Sequence, residues 1–312
     1  MRRFRLIPDQ TSIGFMRHRL LCLWGSVAVI VLSALAVAVI GLNFGIDFRG
    51  GTLLEVRMPG PADLATMRKS LGELGLGQIQ LQNFGDEREV LIRIERQEGE
   101  AEQQQKAIEL VKQRLVEVFG DEIEFRRAEF VGPKVSEELL RNGIMAVLLA
   151  VALVLVYIWF RFEWQFGAGA VFALVHDVAT TIGVFAVVGL EFNLSTVAAI
   201  LTIVGYSLND TVVVYDRIRE NLRRFKTLQL EEVIDRSINE TLSRTLMTSL
   251  TTLLALFALF FFGGAVIRDF TFAMIWGVVV GTYSSIYIAA PVLIYFNLRA
   301  VLAKEGAVAK AG

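Results

Sequence analysis

With a single cysteine among 312 residues, Cys22, the chain can form no internal disulfide, and none of the usual metal-ligand spacings is present. Its net charge of -1 gives no global reason to expect nucleic-acid binding. No small-residue cleavage site follows the first apolar run, which is longer than a signal-peptide core, so this run is expected to be a retained span. Charge itself is missing over long stretches: 20–42, 143–160, 246–267 and 270–298 carry none. Each is near or above the roughly 20 residues needed to cross a bilayer, which places the chain among polytopic membrane proteins.

Hydrophobic residues make up 54% of the sequence, above the usual globular share, and they are concentrated in these blocks. Two further runs are long enough to span but are interrupted, 166–190 by His176 and Asp177 and 192–215 by Asp210. The expected total is six transmembrane helices. Basic residues set the orientation, because Lys and Arg near span ends stay preferentially in the cytoplasm. Arg2, Arg3, Arg5, Arg17, Arg19, Arg161, Arg217, Arg219, Arg223, Arg224, Lys226 and Arg236 fall on one side if both termini are cytoplasmic. Anionic lipid and topology account for these clusters. The expected layout is a cytoplasmic segment 1–19, a first span 20–42, an extracytoplasmic domain 43–141, five further spans over 142–298 with a cytoplasmic loop at about 216–243, and a cytoplasmic tail 299–312.

The domain between the first and second spans has a legible pattern. Residues 52–58, 79–84, 89–95 and 123–130 alternate like strands, whereas 62–74 and 100–119 repeat like helices, with Ile108, Val111, Leu115 and Val118 at helical spacing. The order βαββαβ predicts a small ferredoxin-like α+β sandwich, its two helices on one face of an antiparallel sheet. It contains no nucleophile elbow, phosphate loop or metal cluster, so binding rather than chemistry is expected there. Its free sheet face is available to a partner.

The sites of interest lie elsewhere. An ionisable group at membrane depth is costly and normally faces a bundle interior or a water-filled cavity, where it handles ions, protons or substrate. Asp210 is such a group. Ser207 and Tyr206 lie three and four positions before it, on nearly the same helix face, and Asn209 adjoins it. This polar stripe reads either as a proton site or as a helix contact glued by hydrogen bonds. Arg244 precedes the fifth apolar run and shares a face with Thr248, Thr251 and Thr252. Asp210 is about 27 Å along its span from Phe192, toward the end where Arg244 also lies, so Arg244 is either its counter-charge or a side chain snorkelling to the interface. His176 and Asp177 suit a structural hydrogen bond to a neighbouring helix, and Asp177 is a secondary candidate. Gly277, Gly281, Ser284 and Ser285 suit close helix packing. At the junction of first span and domain, Gly45, Asp47, Arg49, Gly50 and Gly51 stand in the run GIDFRGG, either as a turn with Asp47 capping local amides or as a functional motif.

GIDFRGG, the run GYSLNDTVVVYDRIRE from Gly205 to Glu220, and GTYSSIYIAAP from Gly281 to Pro291 together resemble the SecF family. That family is the smaller half of the SecDF protein-export complex, within the resistance-nodulation-division superfamily. The resemblance covers these motifs, the six-span layout and the large loop after span one. It implies a non-enzymatic export subunit in the bacterial inner membrane. It also implies a partner, SecD, association with the SecYEG channel, contact with a translocating preprotein, and no cofactor beyond a proton as coupling ion. Asp210 with Arg244 is the implied proton relay, and sodium is the other candidate ion. One charge crossing 100 mV releases roughly 2.3 kcal/mol, enough to bias a switch between states a few kcal/mol apart. Competing classes are half of a transporter for lipids or small hydrophobic compounds, a non-motor scaffold, and an intramembrane aspartyl protease. The last is disfavoured because GYSLND differs from the Gly-x-Gly-Asp setting that such enzymes use.

Overall fold

In the computed structural model, residues 11–77, 79–97, 101–264, 267–296 and 298 are described. Arg2, Arg3, Arg5 and the tail 299–312 lie outside them. Six helices are long and apolar enough to cross a membrane, Phe15–Val39, Lys134–Arg161, Trp164–Val188, Leu194–Arg224, Leu230–Phe262 and Arg268–Tyr295, in agreement with the six expected spans. They are α1 (Arg19–Val39, entered through a 3-10 turn), α5 (Pro133–Arg161), α6 (Trp164–Val188), α7 (Leu194–Arg224), α8 (Leu230–Phe262) and α9 (Arg268–Ser284). The last continues through a π-helical segment, Ser285–Ala289, into α10 (Ala290–Tyr295).

Two domain boundaries differ from the sequence reading. Residues 216–243 are not a loop: α7 runs to Arg224 and α8 begins at Leu230, leaving a connector of 225–229. The charges that suggested a loop lie on amphipathic helix ends. Val233, Ile234 and Ile238 pack into the core shared with Ile218 and Leu222. Arg217 pairs with Glu240 at 2.9 Å, and Asn221 Nδ2 donates to Ser237 Oγ at 3.0 Å, across the two helices. Likewise 133–141 is already helix, continuous with the second span, because Pro133 stands at the start of α5 where its missing N–H costs nothing.

Between α1 and α5 lie α2 (Ile46–Arg49), β2 (Gly51–Arg57), α3 (Leu64–Gly72), β3 (Ile79–Phe84), β4 (Asp86–Ile94), α4 (Ala101–Phe119) and β5 (Glu124–Val131). The four strands form an antiparallel sheet in the order β3-β4-β2-β5. Leu54, Val56, Val90, Ile92 and Ile94 from the sheet pack against Met67 and Leu71 of α3 and Val111 and Leu115 of α4, so both helices cover one face. Asp63 caps α3 by accepting from the Ala65 and Thr66 amides. The opposite face carries Arg57, Glu89, Arg93, Arg126 and Glu129, partly joined in ion pairs.

A separate two-stranded sheet closes the end of the bundle next to the α+β domain. β1 (Asn43–Phe44), just past the first span, pairs in parallel with β6 (Glu191–Phe192), just before the fourth. Phe44 packs edge-to-face on both Phe48 and Phe192 around this closure. Within the bundle, spans three, four and six are the inner helices. A Cβ on Gly277 of the sixth span would stand 2.3 Å from Ile203 of the fourth, so only glycine permits that approach.

Candidate functional site

The inner helices meet around two carboxylates. Asp210, in the middle of α7, is buried. Its Oδ1 accepts from Thr245 Oγ1 of α8 at 2.5 Å, and its Oδ2 accepts from Ser285 Oγ at 2.6 Å. One carboxylate therefore binds the fourth span to both the fifth and the sixth. Asp177, in α6, has no solvent exposure. Its Oδ2 accepts from Ser207 Oγ at 2.6 Å and Ser284 Oγ at 2.8 Å, while Oδ1 lies 3.1 Å from His176 Nδ1. The second carboxylate thus binds the third span to the fourth and sixth. Ser284 and Ser285 are adjacent, so each serves a different acid.

The backbone explains how neighbouring serines reach two acids. The sixth span widens to π geometry over Ser285–Ala289 shortly before Pro291, which cannot donate a backbone hydrogen bond. Tyr215 OH donates to the Ala289 carbonyl at 3.1 Å and so holds the segment to the fourth span. π segments of this kind are frequent at functional positions.

The expected site residues divide into groups. Asp210 is central; among the described residues no ion pair joins it to Arg244, whose side chain is exposed, but Arg244 is near enough to act on it electrostatically. The contact comes from the next residue, Thr245, because Arg244 lies about 100° around the helix from it. Ser207 is close by but bonds Asp177 rather than Asp210. Tyr206 OH donates to Thr252 Oγ1 at 3.4 Å, linking spans four and five. Asn209 is exposed, and Thr248 returns its hydroxyl to the Arg244 and Thr245 carbonyls. Asp177 makes the interhelical bonds expected of it. Ser284 and Ser285 do more than the packing expected of them, and Thr245 was missed. A serine pair inside an apolar run was the available signal for the first two.

The exposed positions share a pattern of their own. Thr202, Gly205 and Asn209 on α7, and Arg244, Thr248 and Thr251 on α8, are exposed at helical spacing on adjoining helices. This surface is more polar than other outward positions such as Leu148, Leu153, Trp159 and Phe257, although Met247 is exposed beside it. Polar groups cannot face hydrocarbon without cost.

The junction also reaches the bundle. Asp47 Oδ2 accepts from the Leu194 amide at 2.9 Å, capping α7 at its first residue rather than any local amide. The Gly45 amide donates to the Phe192 carbonyl at 2.9 Å. Glu191 pairs with Arg93 of β4, and its own amide donates to Asp269 Oδ2 at 3.2 Å. Burial holds the Glu191 carboxyl above the usual range; Asp269 and Asp47 push it further up, against the pull of Arg93. Arg49 is exposed at the junction and Gly50 and Gly51 both take positive φ.

Fold and site define a polytopic helical membrane protein with carboxylates buried among its spans and an α+β domain outside them. A family model described as "Protein export membrane protein SecD/SecF, C-terminal" matches residues 111–299, and one described as "SecD/SecF GG Motif" matches residues 35–58. The chain is 48% identical over 295 residues to the protein translocase subunit SecF of Rickettsia felis, covering 95% of each. It is 46% identical over 302 residues to that of Cereibacter sphaeroides, covering 95% of this chain and 93% of that one. The chain belongs to the SecD/SecF family and falls with its SecF members. A crystal structure of SecDF, a translocon-associated membrane protein from Thermus thermophilus, superposes with a TM-score of 0.83 at 40% identity, covering 93% of this chain and 39% of that longer one. A structure of SecDF in a super-membrane-facing form superposes at 0.67 with 39% identity and nearly the same coverage, 95% and 40%.

Proposed function

We propose that the chain is an auxiliary, non-catalytic subunit of the Sec protein-export machinery, sitting in the bacterial inner membrane with both termini in the cytoplasm. Its α+β domain, whose strand order is that of a ferredoxin-like sandwich, faces the periplasm. The proton motive force drives movements of this domain that help draw preproteins outward through SecYEG. SecD is the partner, and the small, polar surface formed by Thr202, Gly205, Asn209, Arg244, Thr248 and Thr251 supports a helical neighbour there, which would remove those groups from lipid.

One observation carries the proton reading: Asp210 is buried at membrane depth and bonded by hydroxyls from two other spans. An ionised carboxylate accepts both bonds, whereas a protonated one carries a donor and presents a changed pattern to Thr245 and Ser285. Loading and unloading one proton therefore alters the contacts of spans five and six at once. The partner's helices supply whatever else Arg244 faces. Sodium finds little support, since Asp210 with two hydroxyls falls short of the six or more oxygens typical of hard-cation sites. A pure scaffold would not need an acid at this position.

The test is late-stage export of a secretory polypeptide into energised membrane vesicles, with wild type compared against Asp210→Asn at equal complex abundance, gradient present or collapsed. Loss of the gradient-dependent part alone is the expected result. Unchanged export with unchanged gradient dependence would assign Asp210 to structure and leave the scaffold reading in place.

A further inference from the structure

The outer sheet is fastened to the bundle in two ways that differ in kind. Covalently, it hangs from neighbouring strands. β2 follows the first span through Gly50 and Gly51, and β5 leads through Gly132 into the second. Gly50 and Gly51 have φ of 72° and 114°, and a Cβ on Gly51 would stand 2.7 Å from the Ile94 carbonyl oxygen, so this corner requires glycine. Non-covalently, it is held by Arg93. This residue lies on β4, on the side of β2 away from β5, and points away from the domain core. A cavity of about 510 Å³, lined among others by Phe44, Ile46, Arg49, Gln80, Arg93 and Arg96, separates the sheet from the junction.

The acceptor for Arg93 is Glu191, and both side chains are largely buried, at 12% and 18% exposure. Glu191 lies three residues before the start of α7, which carries Asp210. Its amide is bonded to Asp269 at the start of the sixth span, which carries Ser285. The charged groups around it are Arg93 from the sheet, Asp47 from the junction and Asp269 with its neighbour Arg268 from the sixth span. A rearrangement of spans four and six at the Asp210 site is thus delivered, through rigid helices, to the turn that grips the sheet.

We propose that Arg93 and Glu191 are positioning residues for gradient-driven export: their ion pair is a latch that transmits movement of the fourth and sixth spans to the outer domain, which tips about Gly50–Gly51 into the adjoining cavity. The proposal rests on the proton-driven reading of Asp210. A largely buried ion pair contributes little net stability, yet it is specific in direction and costly to leave half-made. Those are the properties a coupling contact needs.

The experiment places cysteines at both positions, Arg93→Cys and Glu191→Cys, in a Cys22→Ser background, which removes the ion pair, and then bridges them in the assembled membrane complex with a short, reducible bis-thiosulfonate reagent; export is measured before and after bridging. Peptide mass spectrometry scores the bridge. Gradient-dependent export should be largely lost in the reduced double-cysteine protein, which lacks the ion pair, and should return at least in part when the bridge re-ties the two positions. Separately, Arg93→Glu and Glu191→Arg should each lose most of the gradient-dependent part with gradient-independent export and complex abundance unchanged, a selectivity that a merely structural contact would not show, and the double reversal should restore at least half of it. Asp210→Asn is assayed in the same vesicles. If that variant loses gradient dependence while the reduced, unbridged double-cysteine protein keeps it, the latch is wrong and the proton reading survives. If neither variant changes it, both fail. Absence of any bridge between the two cysteines would also overturn the latch.

Discussion

The α+β domain and the helical bundle differ in the polar groups they bury. In the outer domain, Leu54, Val56, Met67, Ile92 and Leu115 form a dry apolar centre and the charges lie outside. In the bundle the buried centre holds Asp177, Asp210, Ser207, Ser284, Ser285 and Thr245, while Trp159, Phe160 and Phe262 face outward. The same hydrophobic effect explains both. Water expels apolar groups from the surface of the first, and hydrocarbon has no such preference in the second, leaving hydrogen bonds and close packing to join its helices. The lesson is that both regions bury apolar side chains, but buried carboxylates with hydroxyl partners from other helices occur at the centre of the bundle.

Three substitutions sharpen this contrast. Leu115→Ala, at a fully buried site of α4, should destabilise the outer domain by about 2–5 kcal/mol through lost transfer energy and a residual cavity. Hydrogen exchange of the β2 and β4 amides in the intact protein should report it, with the bundle amides unaffected. Asp177→Ala removes the acceptor for Ser207 and Ser284 and should cost only about 1–2 kcal/mol, because each hydroxyl in a span can turn to its own backbone. Thermal unfolding in detergent measures this, and a loss as large as that of Leu115→Ala would contradict the contrast.

The smallest effect concerns the border between the two regions. Because the Glu191 carboxyl is held above its usual range, chiefly by burial, the folded state binds that proton more tightly than the unfolded one. Its contribution is complete below the free glutamate value of about 4.3 and is lost as pH rises through the raised one. Wild type should therefore lose a little thermal stability over that interval relative to Glu191→Gln, which removes the titration. An identical pH dependence in the two proteins would show that Glu191 does not titrate there.

Much of the architecture was legible because periodicity is a local property. The six spans follow from long uncharged runs, and the four strands and two helices of the outer domain from alternation and helical repeat. The ends of α7 and α8 were misread because their Arg and Glu residues looked like a loop, although Val233, Ile234 and Ile238 kept a helical period among them. Asp210 was conspicuous as an acid in an apolar run. Its partners were not: Thr245 and Ser285 are 35 and 75 residues away, and serine and threonine occur in spans for several reasons.

The sequence by itself determined the solvent of each segment, and hence the class of protein, the number of spans and the one acid that had to be explained. Only the tertiary structure decided the pairings. It gave Asp210 its hydrogen-bond partners, Thr245 and Ser285, with Arg244 acting only electrostatically, joined Asp177 to spans four and six, and carried the Asp47 cap to Leu194, 147 residues away. Hydropathy acts residue by residue and can be read along a line. A hydrogen bond depends on the position and direction of two groups, and helix packing sets both.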